Sequence, residues 1–172
     1  EDYIYLAREL CDFSLAEYVS CGENLESDAT MPSKQVVGID ILAALGALHV
    51  CGRVHGNLKP QNVLIAASGR VVLVDAGKWY IGQDSDRENS WIAPEMLIPS
   101  HPIPEDTTSS DVFVAGLLMF YLLTSGEHPY GNGPPDLQRD NVASGALKVF
   151  HGQLSDPMEL DLVLACMLVS KV

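Results

Sequence analysis

The chain has 172 residues, 47% of them hydrophobic and 19% charged, which excludes a disordered tail and predicts one domain, or a large part of one, with a real core. Net charge is −13, from 10 basic and 23 acidic residues. That argues against a general nucleic-acid or anionic-membrane surface, since both need a basic face.

In chain order, Tyr3-Ile4-Tyr5-Leu6-Ala7 predicts a short strand, and Ser14 to Val19 a short helix capped by Ser14 or Asp12. Cys21 to Pro32 is polar and reads as a loop, with the acidic cluster Glu23, Glu26 and Asp28 as its solvated part. Ser33 can cap a long helix in which Val36, Val37, Ile41, Leu42, Leu45 and Leu48 recur at helical spacing, and Gly52 stops it. Two strands, Val63-Leu64-Ile65 and Val71-Val72-Leu73-Val74, flank a Ser68-Gly69 turn. A loop runs from Asp75 to about Ile92, and an apolar helix from about Ser110 to Thr124 with Ser109 or Ser110 as cap. Gly126 to Pro135 is a Gly/Pro loop, and helices are expected over Asp136 to Val149 and Met158 to Val169. The fold class is α+β, mostly α, with a small hairpin between two long helices.

Cys11, Cys21, Cys51 and Cys166 show no Cys-x-x-Cys spacing, which predicts free thiols in a reducing compartment, not zinc or a disulfide framework. No signal peptide is visible, and the apolar run from Val112 to Leu123 is well short of the ~20 residues that span a bilayer. Without an initiator Met at Glu1, and ending at Ser170-Lys171-Val172, the sequence reads as a piece of a longer chain.

Four ordered motifs carry the chemistry. His55-x-Asn57-Leu58-Lys59-x-x-Asn62 precedes the hairpin, Asp75-Ala76-Gly77 follows it, Ala93-Pro94-Glu95 closes the next loop, and Asp111-Val112-Phe113-x-Ala115-Gly116 opens the apolar helix. Four such motifs in this order and spacing resemble the C-terminal (large) lobe of the protein-kinase fold, over residues 1–172. The resemblance implies a last small-lobe strand and hinge at 8–12, a catalytic loop at 53–62 and an activation segment at 75–95. Glu9-Leu10-Cys11, Leu15 to Val19, Trp91 to Leu97, Ser125 to Gly131 and Leu137-Gln138-Arg139 are similar to the inositol-requiring kinase/endoribonuclease of the unfolded-protein response, with ribonuclease L as a relative. In that family the kinase-like domain binds nucleotide, pairs with a second copy and activates a ribonuclease domain that follows it. The resemblance therefore implies ATP or ADP with Mg2+ as cofactor and a homodimer. It further implies a cytoplasmic domain on a parent anchored in the endoplasmic reticulum membrane, with no nucleic-acid or membrane contact by this segment itself.

Carried onto this chain, the resemblance places Asn57 where a kinase has its catalytic carboxylate. An amide can hydrogen-bond a hydroxyl but cannot take its proton. Lys59 stands near the transferred phosphate, Asn62 and Asp75 at the magnesium-ligand positions, and Glu9, Cys11 and Leu64 at the nucleotide. Gly56 replaces an Arg that clamps phosphorylated activation loops, so a phosphate on Ser85 or Ser90 has no evident partner in the catalytic loop. Glu88 replaces a Thr and would pair with Lys59. These departures predict loss of ordinary kinase activity. Ala76 replaces a buried Phe, leaving a void of about 3–5 kcal/mol unless something fills it. Arg8, at the gatekeeper position, has two readings: it meets Asp75 or an upstream helix Glu across that space, or it snorkels past.

His55 reads as a packed histidine under the Asp75 loop, Asp111 as an acceptor of backbone N–H bonds from the catalytic loop, and Glu95 as the partner of a late Arg beyond Val172. Leu118 and Leu122, with Leu15, Val63, Leu64 and Ile65, fit an apolar column below the nucleotide, although core packing alone would give the same stripe. Three functions stand open: a nucleotide-responsive regulatory or interaction module, an active Ser/Thr kinase using Asn57 only to position substrate, and a scaffold that binds no nucleotide.

Overall fold

The computed structural model describes residues 9–21, 31–77, 90–97, 107–148, 154 and 156–168. The expected strand at Tyr3–Ala7, Arg8, Ser85 and Glu88 lie outside the described residues.

β1 (Phe13–Ser14) runs into α1 (Leu15–Cys21). Of the two candidate caps, Ser14 is the one used. Glu17 N–H donates to Ser14 Oγ at 3.3 Å, and Ser14 N–H donates to Glu17 Oε2 at 2.7 Å, a reciprocal capping box. α2 (Lys34–Val50) starts at Ser33, whose Oγ accepts from Val36 N–H at 3.4 Å. Val37, Ile41 and Leu45 form its buried stripe, whereas Val36 is exposed. One residue before Val37, it lies about 100° around the helix from that i, i+4 row.

A 3₁₀ turn (Pro60–Asn62) leads into β2 (Val63–Ile65), which pairs antiparallel with β3 (Val71–Leu73), Val63 facing Leu73 and Ile65 facing Val71. β1 adds a third strand to β2, in the order β1-β2-β3, with Phe13 opposite Ile65. Two residues carry no readable period, so sequence patterning reached only the bend before α1. Val63 and Ile65 point into the core, and Leu64 points to the other face, half-buried. Leu64 is thus separated from Leu15, Val63, Ile65, Leu118 and Leu122, all of which are fully buried. The expected six-residue column is a five-residue core patch.

α3 (Thr108–Leu123) is capped by Thr107, not by Ser109 or Ser110. Ser110 N–H donates to Thr107 Oγ1 at 3.1 Å, and Thr107 N–H donates to Ser110 Oγ at 2.9 Å. Ser110 is the reciprocal member of the box, one turn inside. α4 (Pro135–Ser144) ends well before Val149 because Gly145 takes a left-handed φ of 68° there. α5 (Pro157–Leu168) is opened by Asp156, whose Oδ1 accepts from Met158 N–H at 2.8 Å.

α3 is the centre of the molecule. Phe113, Ala115, Leu117, Leu118, Phe120 and Leu122 are buried on every side of it, as an all-apolar helix requires. It packs against α2 and α5. Gly116 sets the α5 contact: a Cβ there would lie 2.9 Å from Cys166 Cβ, 2.9 Å from Met167 Cγ and 3.2 Å from the Val163 carbonyl oxygen. Among the described residues, no helix is long and apolar enough to cross a membrane.

Two helical glycines should therefore respond in opposite directions. Gly116→Val gains helix propensity but drives methyls into backbone, and overpacking of about 1–3 kcal/mol wins, lowering the thermal midpoint. Gly46, with nothing within 4 Å of its virtual Cβ, should gain up to about 1 kcal/mol as Gly46→Ala. Calorimetric or denaturant unfolding of both variants checks the pair.

Candidate functional site

The site is built on Asp111, in the first turn of α3. Its buried carboxylate accepts the His55 N–H at 2.7 Å on Oδ2 and the Gly56 N–H at 2.9 Å on Oδ1. His49 Nε2, from the last turn of α2, lies 2.9 Å from Oδ2. One carboxylate thus joins the end of α2, the loop that starts at His55 and the start of α3. His49 was not singled out by any motif; only its place in the last turn of α2, six residues before His55, puts it in reach.

Gly56 has φ 67°. An L side chain is strained there, so glycine relaxes the backbone at the position where the resemblance expects Arg. His55 is fully buried, its Nδ1 accepts from Asn57 N–H at 3.3 Å, and its carbonyl accepts from Gly77 N–H at 2.6 Å. Burial lowers its pKa, against opposing pulls from Asp111, the Val74 backbone and Asp75. His55 is accordingly the packed histidine under the Asp75 loop.

The loop 55–62 and the 74–77 turn are laced together. Asn62 is buried; its Nδ2 donates to the Asn57 carbonyl at 2.8 Å, and its carbonyl accepts from Val74 N–H at 3.0 Å. Asn57 Nδ2 donates to the Asp75 carbonyl at 3.2 Å. Asp75 itself is exposed, with φ 57°. Lys59 is half-buried at the head of the 3₁₀ turn. Ala76 is exposed among the described residues.

Residues 9–12 are less enclosed. Glu9 is exposed and ion-pairs with Arg70 of the hairpin turn, and the half-buried Cys11 thiol lies 3.9 Å from the Glu9 carbonyl. An exposed pair of this kind contributes at most about 1 kcal/mol. Asn57, Lys59, Asn62 and Asp75 are gathered on the two linked loops; Glu9, Cys11 and Leu64 sit on the neighbouring strand pair and the chain entering it. Among the described residues no group of three His, Cys, Asp or Glu could hold a metal alone.

Beyond the loops, Glu95 Oε2 is buried with no hydrogen-bond partner among the described residues. Ser90 is buried too, which removes it from ready modification. Beside it, Trp91 packs edge-on against Tyr121 (5.4 Å between centroids) and His128 (4.9 Å). Burial pushes the His128 pKa down to about 4, with the Ser90 backbone opposing the shift. Nothing in the local sequence around His128 marks it as buried.

The protein kinase domain model matches residues 1–161. The chain belongs to the protein kinase family. This kinase-family chain is 36% identical over 164 residues to a human (Homo sapiens) serine/threonine-protein kinase/endoribonuclease, covering 86% of the chain. It is 31% identical over 156 residues to a protein of the same description from Oryza sativa subsp. japonica, and 34% over 147 residues to one from Caenorhabditis elegans, covering 76% and 74% of the chain. It spans 17%, 17% and 14% of the lengths of these three relatives.

Two outcomes follow for this kinase-family chain. Asp111→Asn exchanges an acceptor for an amide nitrogen facing N–H donors and strands at least one of them, at about 1–3 kcal/mol for each unsatisfied group; a fall in the urea midpoint of the domain checks it. His128 binds protons more readily unfolded (6.5) than folded (about 4). Its contribution is therefore complete above pH 6.5 and is lost as pH falls toward 4, roughly 2 kcal/mol of it between pH 7 and 5. His128→Phe should flatten the pH dependence of the thermal midpoint over that window.

Proposed function

We propose that the chain is the large-lobe part of a catalytically impaired kinase domain that acts as a nucleotide-responsive regulatory module in a protein of the kinase/endoribonuclease type. The observation that carries this reading is Asn57. The residue at the catalytic-carboxylate position is an amide whose nitrogen is bound to the Asp75 carbonyl at 3.2 Å. It has no basic atom to accept a hydroxyl proton, and one of its two N–H donors is held by that carbonyl. Lys59, Asn62 and Asp75 remain on the two joined loops.

The residues present fit Mg2+ with ATP or ADP. Asn62 spends its Nδ2 on the Asn57 carbonyl, which leaves the amide oxygen, the metal-binding end, outside that bond. Together with the Asp75 carboxylate it would supply two oxygen ligands, and magnesium characteristically takes one or two protein oxygens plus waters and phosphates. The bound ion would screen the phosphate charge; Lys59 would hold a phosphate electrostatically. Glu9 and Cys11, through their backbone, and Leu64, from the open face of β2, would receive the base. His55 and Asp111 would position the loop and Glu95 would anchor the end of the activation segment, none of them touching nucleotide. By the same likeness the module would pair with a second copy, in the cytosol, on a parent held in the endoplasmic reticulum membrane.

Mg·ATP should raise the thermal midpoint of the full-length protein by a few degrees, and Asp75→Ala should abolish the rise. No shift in the parent would instead favour a scaffold. Phosphate transfer lost on Lys59→Ala would favour a Ser/Thr kinase that positions substrate through Asn57.

A further inference from the structure

Asp75 holds a left-handed backbone, φ 57°, in an exposed turn. A non-glycine residue does not rest there without support, and the cost is of order 1 kcal/mol even for the tolerant aspartate. Among the bonds of the described residues, these tie the turn to the loop 55–62: Val74 N–H to the Asn62 carbonyl (3.0 Å), Asn57 Nδ2 to the Asp75 carbonyl (3.2 Å) and Gly77 N–H to the His55 carbonyl (2.6 Å). The outer two are backbone bonds that any side chain would permit. Only the middle one, on Asp75 itself, depends on which residue stands at 57.

We propose that Asn57 is a positioning residue whose side-chain amide latches the Asp75 backbone and ties it to Asn62. The Asp75 carbonyl can only accept, so its partner must donate. A carboxylate at 57 is acceptor-only when ionised and would set oxygen against oxygen. Asn57 is itself fixed on both sides, its N–H donating to His55 Nδ1 (3.3 Å) and its carbonyl accepting from Asn62 Nδ2 (2.8 Å). The two metal-facing residues are therefore linked through one residue, in the order Asn62, Asn57, Asp75. The substitution that removes a proton acceptor also installs a donor, and restoring the carboxylate would loosen the Asp75 turn. The consequence for nucleotide rests on the reading of Asn62 and Asp75 given above; the latch itself does not.

The experiment uses the full-length protein as wild type, Asn57→Ala and the isosteric Asn57→Asp. Hydrogen exchange of the Val74 and Gly77 amides should accelerate about tenfold in both variants, while helix 34–50 keeps its protection. Unchanged exchange overturns the latch. In Asn57→Ala, affinity for Mg·ADP should fall about fivefold while affinity for ADP in excess chelator stays the same, because only the metal-facing geometry is lost. Faster exchange with an unchanged ratio of the two affinities overturns the positioning role. If the wild type binds neither form, the nucleotide reading fails, and the exchange comparison still decides the latch.

Discussion

A buried carboxylate with three polar partners from two elements organises this molecule. Asp111 sits in the first turn of α3, where the positive end of the helix dipole favours a negative charge, and it takes the backbone N–H groups of His55 and Gly56. His49 completes it from α2. Such a group is costly to bury and more costly to leave half-satisfied. Its partners therefore hold one arrangement, and the loop between α2 and the hairpin inherits it. Gly56 relaxes the turn that brings consecutive N–H groups onto the two carboxylate oxygens.

From that anchor the order passes to the Asp75 turn through hydrogen bonds, while Leu58 and Val74 are buried beneath. His55, Asn57 and Asn62 each bond the 74–77 segment or the residue that does. The apolar work is done below, by α3 with α2 and α5, where Gly116 lets the helices approach. This division leaves a packed base and polar loops that carry Lys59, the buried Asn62 and the exposed Asp75.

The motifs were legible because they are local. The spacing of His55, Asn57, Lys59 and Asn62, the cap at Ser33 and the hairpin at 63–74 all lie within a few residues of their partners. Kinase-family membership rested on four such stretches in order. What stayed hidden depends on residues far apart in sequence. Nothing near His49 indicates that it faces Asp111, 62 positions later. Nothing near His128 indicates that Trp91 will cover it. The third strand, two residues long, exists only because β2 is there to pair with it. Leu64 and Leu15 looked alike as apolar residues until the pleat put them on opposite sides.

The sequence by itself determined the main helices, the hairpin, the family and the amide at 57, since propensity, capping and chemical identity are properties of residues and short spacings. Only the tertiary structure decided which group the Asn57 amide meets. A donor acquires meaning from the acceptor in front of it, and the Asp75 carbonyl is brought there by the Asp111 anchor and the β2–β3 hairpin, not by anything written next to Asn57.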